Sequence, residues 1–287
     1  MTVDVVKNMS ASVRQRLLNY ARVSGRPFAE VLQYYAMERF LYRLSASPHA
    51  EIFTLKGALL LTAWQAPISR PTMDIDFLGR TDNSVDTIIN LIREISQSAV
   101  EDDGIVFAPS SFTGEAIRED ADYAGVRTRF VGRVDGARIH MQIDIGFGDV
   151  MTPGPETLIY PTILDFPAPR LSGYSRETVV AEKLQALVQL RMFNTRMKDY
   201  FDIWLLTRQP ELNKELMATA IKRTFANRGT EIDPSPIGLS SAFGDEPTKQ
   251  MQWSAFLKRA RLTEVPTSLS EVIEELRKFF RPVFSQL

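Results

Sequence analysis

Residues 70–79, RPTMDIDFLG, decide the fold, because they place Asp74 and Asp76 two positions apart inside an apolar run. Aspartate is among the poorest strand formers, so two of them in one short strand need an explanation. Side chains alternate along a strand, which puts both carboxylates on one face and sends Ile75 and Phe77 to the other. The pattern predicts a strand with one acidic face, and that face either meets water or binds a cation.

Composition narrows which cation the chain could hold. The chain has 287 residues, 44% of them hydrophobic, which is enough for one large domain or two small ones. It has no cysteine and only two histidines, His49 and His140, so thiolate chemistry is excluded and little remains for a zinc site. Any metal must therefore be bound by oxygen, which favours Mg²⁺ or Mn²⁺.

Charge and hydropathy bear on location and partners. No apolar run approaches the roughly 18 residues needed to cross a membrane, and the N-terminal residues lack the pattern of a signal peptide. We therefore expect a cytoplasmic protein with no membrane partner. The net charge of −1 gives no overall attraction to nucleic acid, although it leaves room for a local basic groove.

The order of the expected elements is mixed. Apolar spacing predicts two helices within residues 10–45. A short apolar stretch at 53–55 then leads into a Lys56-Gly57 turn and a helix that Pro67 ends. The acidic strand follows at residues 74–78, and then a helix at 82–98 and a strand at 105–107. The order of the elements is therefore mixed α and β, and we expect an α+β fold.

A hairpin is expected in the middle of the chain. Asp135-Gly136 separates two alternating segments and is a strong two-residue turn signal. In the second segment Asp144 and His140 lie on the polar face, and we interpret His140 as a surface residue. In the first segment Arg127, Arg129 and Arg133 alternate; they form either a solvated edge or a nucleic-acid surface.

The C-terminal part is expected to be helical. Residues 146–173 are rich in Pro and Gly and are predicted to form a loop that contains a domain boundary. Ser175 is a good N-cap for a helix to about residue 192, and further helices are predicted at 198–207 and 269–284. We expect residues 1–170 to hold the N-terminal helices and a mixed-sheet domain, and residues 171–287 a helical domain.

Three aspartates on one sheet face, Asp74, Asp76 and Asp144, are what a two-metal nucleotidyl-transfer site needs. The alternative is that they face solvent at strand ends. Lys183 is either a functional cation or a solvated lysine paired with Glu182 or Glu177. The segment KDYFDI also has two interpretations. Its charged residues are either functional, or Lys198 and Asp202 form an ordinary helix ion pair, for which their spacing of four positions is suitable.

Several fragments occur together and in order: FTLKGALLL, R-x-T-x-DIDF, QIDIGFGD, RETVVAEKLQALV and RMKDYFDIWLL. This set resembles the AbiEii/AbiGii toxin family of the DNA polymerase β-like nucleotidyltransferase superfamily, over roughly residues 50–210. The resemblance implies a minimal nucleotidyltransferase domain with a mixed sheet, a helical C-terminal domain, magnesium and a nucleoside triphosphate.

The resemblance also implies roles for particular residues. The metal ligands would be Asp74, Asp76 and Asp144, with Lys183 and Asp199 as further catalytic residues. The nucleotide would be bound by Lys56, Gly57, Thr72, Lys183, Arg196, Lys198 and Asp202. One departure is that the family's usual Gly-Gly-Ser/Thr turn is here Lys56-Gly57-Ala58, which lacks the hydroxyl that could touch a phosphate.

We therefore expect a magnesium-dependent nucleotidyltransferase that adds a nucleoside monophosphate to a macromolecular hydroxyl. The acceptor would be RNA, with the 3′ end of tRNA as one candidate, or protein. The chain would be the toxin of a toxin–antitoxin or phage-defence pair with a cognate antitoxin. The alternatives are a phosphotransferase that uses the same site and a non-catalytic, nucleotide-binding regulator.

Overall fold

The computed structural model describes residues 8–68, 70–119 and 123–287, and these form two compact units. Unit 1 takes the described residues of Met1–Trp64, Thr72–Gly148 and Thr157–Gly173. Unit 2 takes those of Gln65–Pro71, Asp149–Glu156 and Tyr174–Leu287. The chain passes between the units several times, and the single boundary at residues 170/171 stays a prediction.

Unit 1 is built on a mixed sheet. The strands among the described residues are β1 (Phe53–Lys56), β2 (Ile75–Gly79), β3 (Val106–Phe107), β4 (Thr113–Glu119), β5 (Tyr123–Val134), β6 (Ala137–Phe147), β7 (Glu156–Ile159) and β8 (Arg170–Gly173). Their order is β3-β5-β6-β2-β1-β8-β7, with β4 also paired to β5. Strand β2 lies antiparallel to β1 and parallel to β6, so the acidic strand is central.

Helices cover the apolar face of this sheet. They are α1 (Met9–Ser24), α2 (Phe28–Ala46) and α4 (Val85–Ser96), while the short α3 (Leu59–Ala63) follows β1. Phe130 of β5 stacks on Phe112 and contacts Phe40 of α2 and Phe107 of β3. Because side chains alternate, the polar residues of β5 and β6 lie on the opposite face.

The predicted hairpin is confirmed. Asp135 and Gly136 have φ angles of 44° and 79°, the positive values that a two-residue turn of this type requires. The turn joins β5 and β6 in a long antiparallel pairing that runs from Val134 opposite Ala137 to Gly125 opposite Gly146. This register fixes which residues face one another around the acidic strand.

Two expectations for unit 1 are wrong. Residues 146–173 are not only loop, because β7 and β8 form there and extend the sheet beyond β1; four-residue strands are too short to stand out among the prolines of this segment. The strand that carries Arg127, Arg129 and Arg133 is not an edge, because β5 has β6 on one side and β3 and β4 on the other.

Unit 2 is helical. Its helices among the described residues are α5 (Arg176–Leu190), α6 (Met197–Thr207), α7 (Lys214–Asn227), α8 (Ser241–Gly244), α9 (Pro247–Ala260) and α10 (Leu269–Phe284). Ser175 caps α5 as predicted, with its hydroxyl accepting from the N–H of Thr178. Across both units the α+β class is confirmed. Nowhere in the described ranges is there a helix of the length and apolarity that crossing a membrane requires.

Candidate active site

One row across the sheet of unit 1 carries five charged residues, because the strand register sets them opposite one another. Lys56 of β1 pairs with Asp76 of β2, and Asp76 pairs with Asp144 of β6. Asp144 in turn faces Arg127 of β5, which faces Glu115 of β4. Paired residues of neighbouring strands share a face of the sheet, so alternation along the strands puts all five charges on its polar face.

The three aspartates converge on this face, as predicted. Each of Asp74, Asp76 and Asp144 offers a carboxylate oxygen, and these oxygens all lie within 4.8 Å of one another. Asp144 is buried, whereas Asp74 and Asp76 are partly exposed. Like charges this close raise the free energy of the ionised state unless a cation offsets them.

Hydrogen bonds to the loop before β2 fix the position of Asp74. The hydroxyl of Thr72 donates a short hydrogen bond to the Asp74 carboxylate. The backbone N–H of Thr72 donates to the hydroxyl of Tyr34 in α2 at 3.1 Å. Thr72, predicted to bind the nucleotide, therefore orients a carboxylate of the cluster in this structure.

Gln33 of α2 is a supporting residue that the sequence analysis missed. Its side-chain amide donates to the backbone carbonyl of Met73 at 3.1 Å and to that of His140 at 3.2 Å. The bonds tie the loop before β2 to strand β6, so that Asp74 and Asp144 keep their separation. The available signal was a single polar residue, Gln33, in the apolar run VLQYYAM.

Arg127 pairs with Asp144 through two hydrogen bonds. Its Nε and Nη2 atoms donate to the two carboxylate oxygens of Asp144 at 2.8 and 2.6 Å. These bonds raise the pKa of Arg127, which therefore stays charged. The guanidinium offsets part of the negative charge of the cluster and fixes the direction of the Asp144 carboxylate.

The Lys56-Gly57 turn packs against the acidic cluster from the β1 side. Gly57 has φ +75°, and a Cβ atom built on it would lie 2.0 Å from Asp76 Oδ2. No residue with a side chain fits there without moving the carboxylate. Lys56 is only 7% exposed and lies opposite Asp76 in the register. The turn therefore brings backbone and a cation close to Asp76.

A second charged cluster lies within unit 2, and we call it the α5–α6 network. Lys183 Nζ lies 2.6 Å from Asp199 and 2.9 Å from Asp202. Arg70 binds both carboxylate oxygens of Asp202 at 2.8 Å, and Arg196 Nε lies 2.6 Å from Asp199. Both aspartates are almost fully buried, so their charges depend on these partners.

The partners keep the network ionised. Burial raises the pKa of Asp202, but Arg70 and Lys183 more than offset this, so the net pKa is lowered. The pKa of Asp199 is also lowered, because Lys183 and Arg196 outweigh the effect of its burial. Burial lowers the pKa of Lys183, but Asp199 and Asp202 raise it by more, so its net pKa lies above the ordinary value.

The network corrects two expectations about ion pairs. Lys183 is not a solvated lysine paired with Glu182 or Glu177, because its side chain is 13% exposed and its partners are on α6. The alternative of an ordinary helix pair between Lys198 and Asp202 is also excluded, since Asp202 binds Arg70 and Lys183 while Lys198 is exposed. A pairing across two helices and a loop leaves no spacing signal in the sequence.

The donor set of the acidic cluster fits a divalent cation. Mg²⁺ and Mn²⁺ prefer carboxylate oxygens, and a magnesium ion takes them at about 2.0–2.1 Å. Oxygens that lie within 4.8 Å of one another are close enough to share one ion or to bridge two. Asp74, Asp76 and Asp144 could therefore hold the metal, with Gly57 leaving the room that a Cβ atom would fill. His140 is exposed on the same face and is not needed as a ligand.

Convergent aspartates on adjacent strands of an α+β fold could hold a metal for phosphoryl or nucleotidyl transfer. The chain belongs to the AbiEii nucleotidyltransferase toxin family of type IV toxin–antitoxin systems, whose family model matches residues 39–278. The resemblance seen in the ordered motifs is thereby confirmed, and the protein is a nucleotidyltransferase.

Two solved structures from Helicobacter pylori are similar to this chain. The crystal structure of JHP933 has 16% sequence identity and a TM-score of 0.49, covering 87% of this chain and 89% of its own. A protein assigned provisionally as a nucleotidyltransferase has 17% identity and a TM-score of 0.45, covering 87% of this chain and 92% of its own. No curated protein matches the chain.

Proposed function

We propose that this nucleotidyltransferase uses Mg²⁺, or Mn²⁺, to join a nucleoside monophosphate from a nucleoside triphosphate to a hydroxyl of RNA, with the 3′ end of tRNA as the specific acceptor. The observation that carries the proposal is the set of three carboxylates whose oxygens lie within 4.8 Å of one another. In the cytoplasm the enzyme would act as the toxin of a phage-defence pair, held in check by a cognate antitoxin.

In the reaction the acceptor oxygen forms a bond to the α-phosphorus, the bond to the pyrophosphate oxygen breaks, and the hydroxyl proton leaves to solvent. Asp74, Asp76 and Asp144 would hold the cation, which when bound would neutralise charge on the leaving group and lower the pKa of the attacking hydroxyl. Thr72 and Gln33 fix the direction of Asp74, and Arg127 fixes that of Asp144. Lys56 and the Gly57 backbone would bind the triphosphate beside Asp76.

We also propose roles in nucleotide binding and catalysis for charged residues of unit 2. Arg196 and Lys198 would bind triphosphate oxygens, and the N-terminus of α6 beside them favours anions. Lys183 would act as a positive charge toward the nucleotide, with Asp199 and Asp202 holding its ammonium in place. Their roles in catalysis and nucleotide binding are proposals.

Incubation of the protein with each labelled nucleoside triphosphate, MgCl₂ and total cellular RNA and protein tests the proposal. We expect label in the tRNA fraction, none when a chelator removes the metal, and none with Asp76→Asn. Mass spectrometry of the modified RNA should show an added nucleoside monophosphate at the 3′ end.

Three results would contradict the proposal. Added phosphate alone would make the protein a phosphotransferase, and label in protein would give it another acceptor. Nucleotide binding with no transfer to any fraction would make it a regulator. A variant of an exposed aspartate far along the chain, Asp233→Asn, is the matched control and should keep full activity.

A further inference from the structure

We propose that the polar face of β5 and β6 binds the single-stranded 3′ segment of the RNA acceptor, from the aspartates to the Asp135-Gly136 turn. We call this surface the acceptor strip and define it by Arg129, Val131, Arg133, Arg138, His140 and Gln142. The inference rests on the proposed function, because it names the surface that would present the acceptor hydroxyl.

The strand register makes the strip continuous with the acidic cluster. On the polar face, the pair that follows Arg127 and Asp144 is Arg129 opposite Gln142, and the pair after that is Val131 opposite His140. A cavity of about 490 Å³ lies there, lined by Asp74, Arg129 and His140 among others. A ligand in this cavity would therefore touch a proposed metal ligand at one end and a cation along its side.

The cavity has the mixed chemistry that a nucleoside needs. Gln142, Thr113 and Ser111 offer donors and acceptors along its lining. Met73 adds an apolar side chain that is 59% exposed, and a thioether makes favourable contacts with aromatic rings. One base can rest against Met73 while its ribose reaches Asp74.

The far end of the strip carries an unusual charge pair. Arg133 and Arg138 are exposed and lie directly opposite each other across β5 and β6. Like charges in that position destabilise a sheet. No carboxylate of the described residues lies within ion-pair distance of either guanidinium. A polyanion that binds both arginines would remove the repulsion, which is the charge complementarity that RNA phosphates provide.

The position of the strip also suits the geometry of the reaction. The sheet order places Lys56 and Gly57 on the β1 side of the aspartates and the strip on the β6 and β5 side. In phosphoryl transfer the attacking and leaving oxygens lie roughly in line, on opposite sides of phosphorus. With the triphosphate beside Lys56, the acceptor hydroxyl must arrive from the side on which the strip begins.

The length of the strip fits a strand end rather than a single nucleotide. From Asp144 to Arg138 is six residues along β6, about 20 Å at ~3.3 Å per residue. Arg129 is already paired with Glu115, so the phosphates farthest from the reaction would bind Arg133 and Arg138. These two arginines are therefore the residues to change.

The test measures binding of a fluorescein-labelled, single-stranded RNA of about 12 nucleotides to Arg133→Gln/Arg138→Gln by fluorescence polarisation across a salt series. We expect affinity to fall about tenfold and the slope of log K against log[salt] to decrease by about 1.4, the value for two lost phosphate contacts. The melting temperature should stay the same or rise, because a like-charge pair is removed. The matched control is Lys258→Gln/Arg259→Gln, which changes net charge equally at exposed positions of α9.

The outcomes separate this inference from the proposed function. The acceptor strip would be contradicted if Arg133→Gln/Arg138→Gln kept the wild-type RNA affinity and salt slope, or if the control variant lost as much affinity. RNA that binds through the strip, and binds equally to Asp76→Asn, but is never labelled by the wild type would support the strip and overturn the proposed function. Wild-type labelling of RNA by the strip variant at limiting RNA would again overturn the strip.

Discussion

The two charged clusters of this chain differ in charge balance. In unit 1 the three aspartates, of which two are partly exposed, have two cations beside them: Arg127 binds Asp144, and Lys56 lies opposite Asp76 in the strand register. In unit 2 the α5–α6 network joins two buried aspartates to three cations, Lys183, Arg70 and Arg196. Both clusters contain carboxylates in apolar sequence, yet only the first has negative charge in excess.

The difference shows how an aspartate that its cationic partners stabilise can be told from one that neighbouring carboxylates destabilise. A buried aspartate with two cationic partners is satisfied, so removal of its charge leaves the partners unpaired and costs stability. Aspartates that repel one another are retained at a cost, so removal of one charge is neutral or stabilising. Stability measurements on asparagine variants can therefore break or sharpen the comparison.

The largest expected effect is on the network. Asp202→Asn removes the charge that holds Arg70 and Lys183, and we expect the free energy of unfolding to fall by about 3–5 kcal/mol. Asp76→Asn is the matched variant and should change it by about 1 kcal/mol or less without metal, because Asp74 and Asp144 still leave negative charge beside Lys56. Urea unfolding of both proteins in a chelator makes the measurement. Equal losses in the two variants would remove the distinction.

The pH dependence should come from the same network. The pKa of Asp202 and that of Asp199 are lowered in the folded protein, so the unfolded chain binds more protons as pH falls. The contribution to stability is complete above the ordinary aspartate pKa of about 4 and is lost as pH falls below it. Thermal melts between neutral pH and pH 3 should show this loss, and Asp202→Asn should show a smaller one. A parallel dependence in both proteins would assign the acid sensitivity elsewhere.

Gly57→Ala should lower the free energy of unfolding by a smaller amount and should also abolish activity, because Gly57 lies against Asp76. The new Cβ atom would meet Asp76 Oδ2 at 2.0 Å, in addition to the strain of a positive φ. Gly25→Ala is the control, because Gly25 has φ +69° but nothing within 4 Å of its Cβ position. We expect Gly57→Ala to cost about 1–3 kcal/mol more than the control and to abolish transfer. Equal costs would mean that Asp76 moves freely.

Arg127→Gln should have the smallest effect on stability. The pair with Asp144 is partly exposed, with 30% of the arginine side chain accessible, so we expect a loss of about 1 kcal/mol or less. Removal of this cation leaves the aspartates less neutralised, so magnesium should raise the melting temperature more than in the wild type. A smaller magnesium shift than in the wild type would show that the main role of Arg127 is to orient Asp144 for the metal, and not to offset the charge of the aspartates.

Much of unit 1 could be predicted because its signals are local. The DxD spacing, the Asp135-Gly136 turn and the alternation in β6 define a shared face, and these put Asp74, Asp76 and Asp144 together. The strands within residues 146–173 could not be predicted, because they are short and become strands by pairing with distant residues.

The partners of the charged residues were not predictable for a related reason. Arg70 meets Asp202 across 132 positions of sequence and Gln33 meets His140 across 107, and no periodicity encodes such contacts. Local rules instead favoured pairs three or four residues apart, such as Lys198 with Asp202. Sequence therefore indicated which residues carry charge, and only the fold decides which of those charges are balanced.

The most direct test of the central claim is a thermal-shift series with and without MgCl₂ on the wild type and Asp76→Asn. A cation that binds only the folded protein raises its melting temperature by mass action. If the three aspartates bind it, magnesium should stabilise the wild type by several degrees and Asp76→Asn much less. Equal magnesium shifts in the two proteins would contradict the account, because RPTMDIDFLG would then be only a strand with an acidic face.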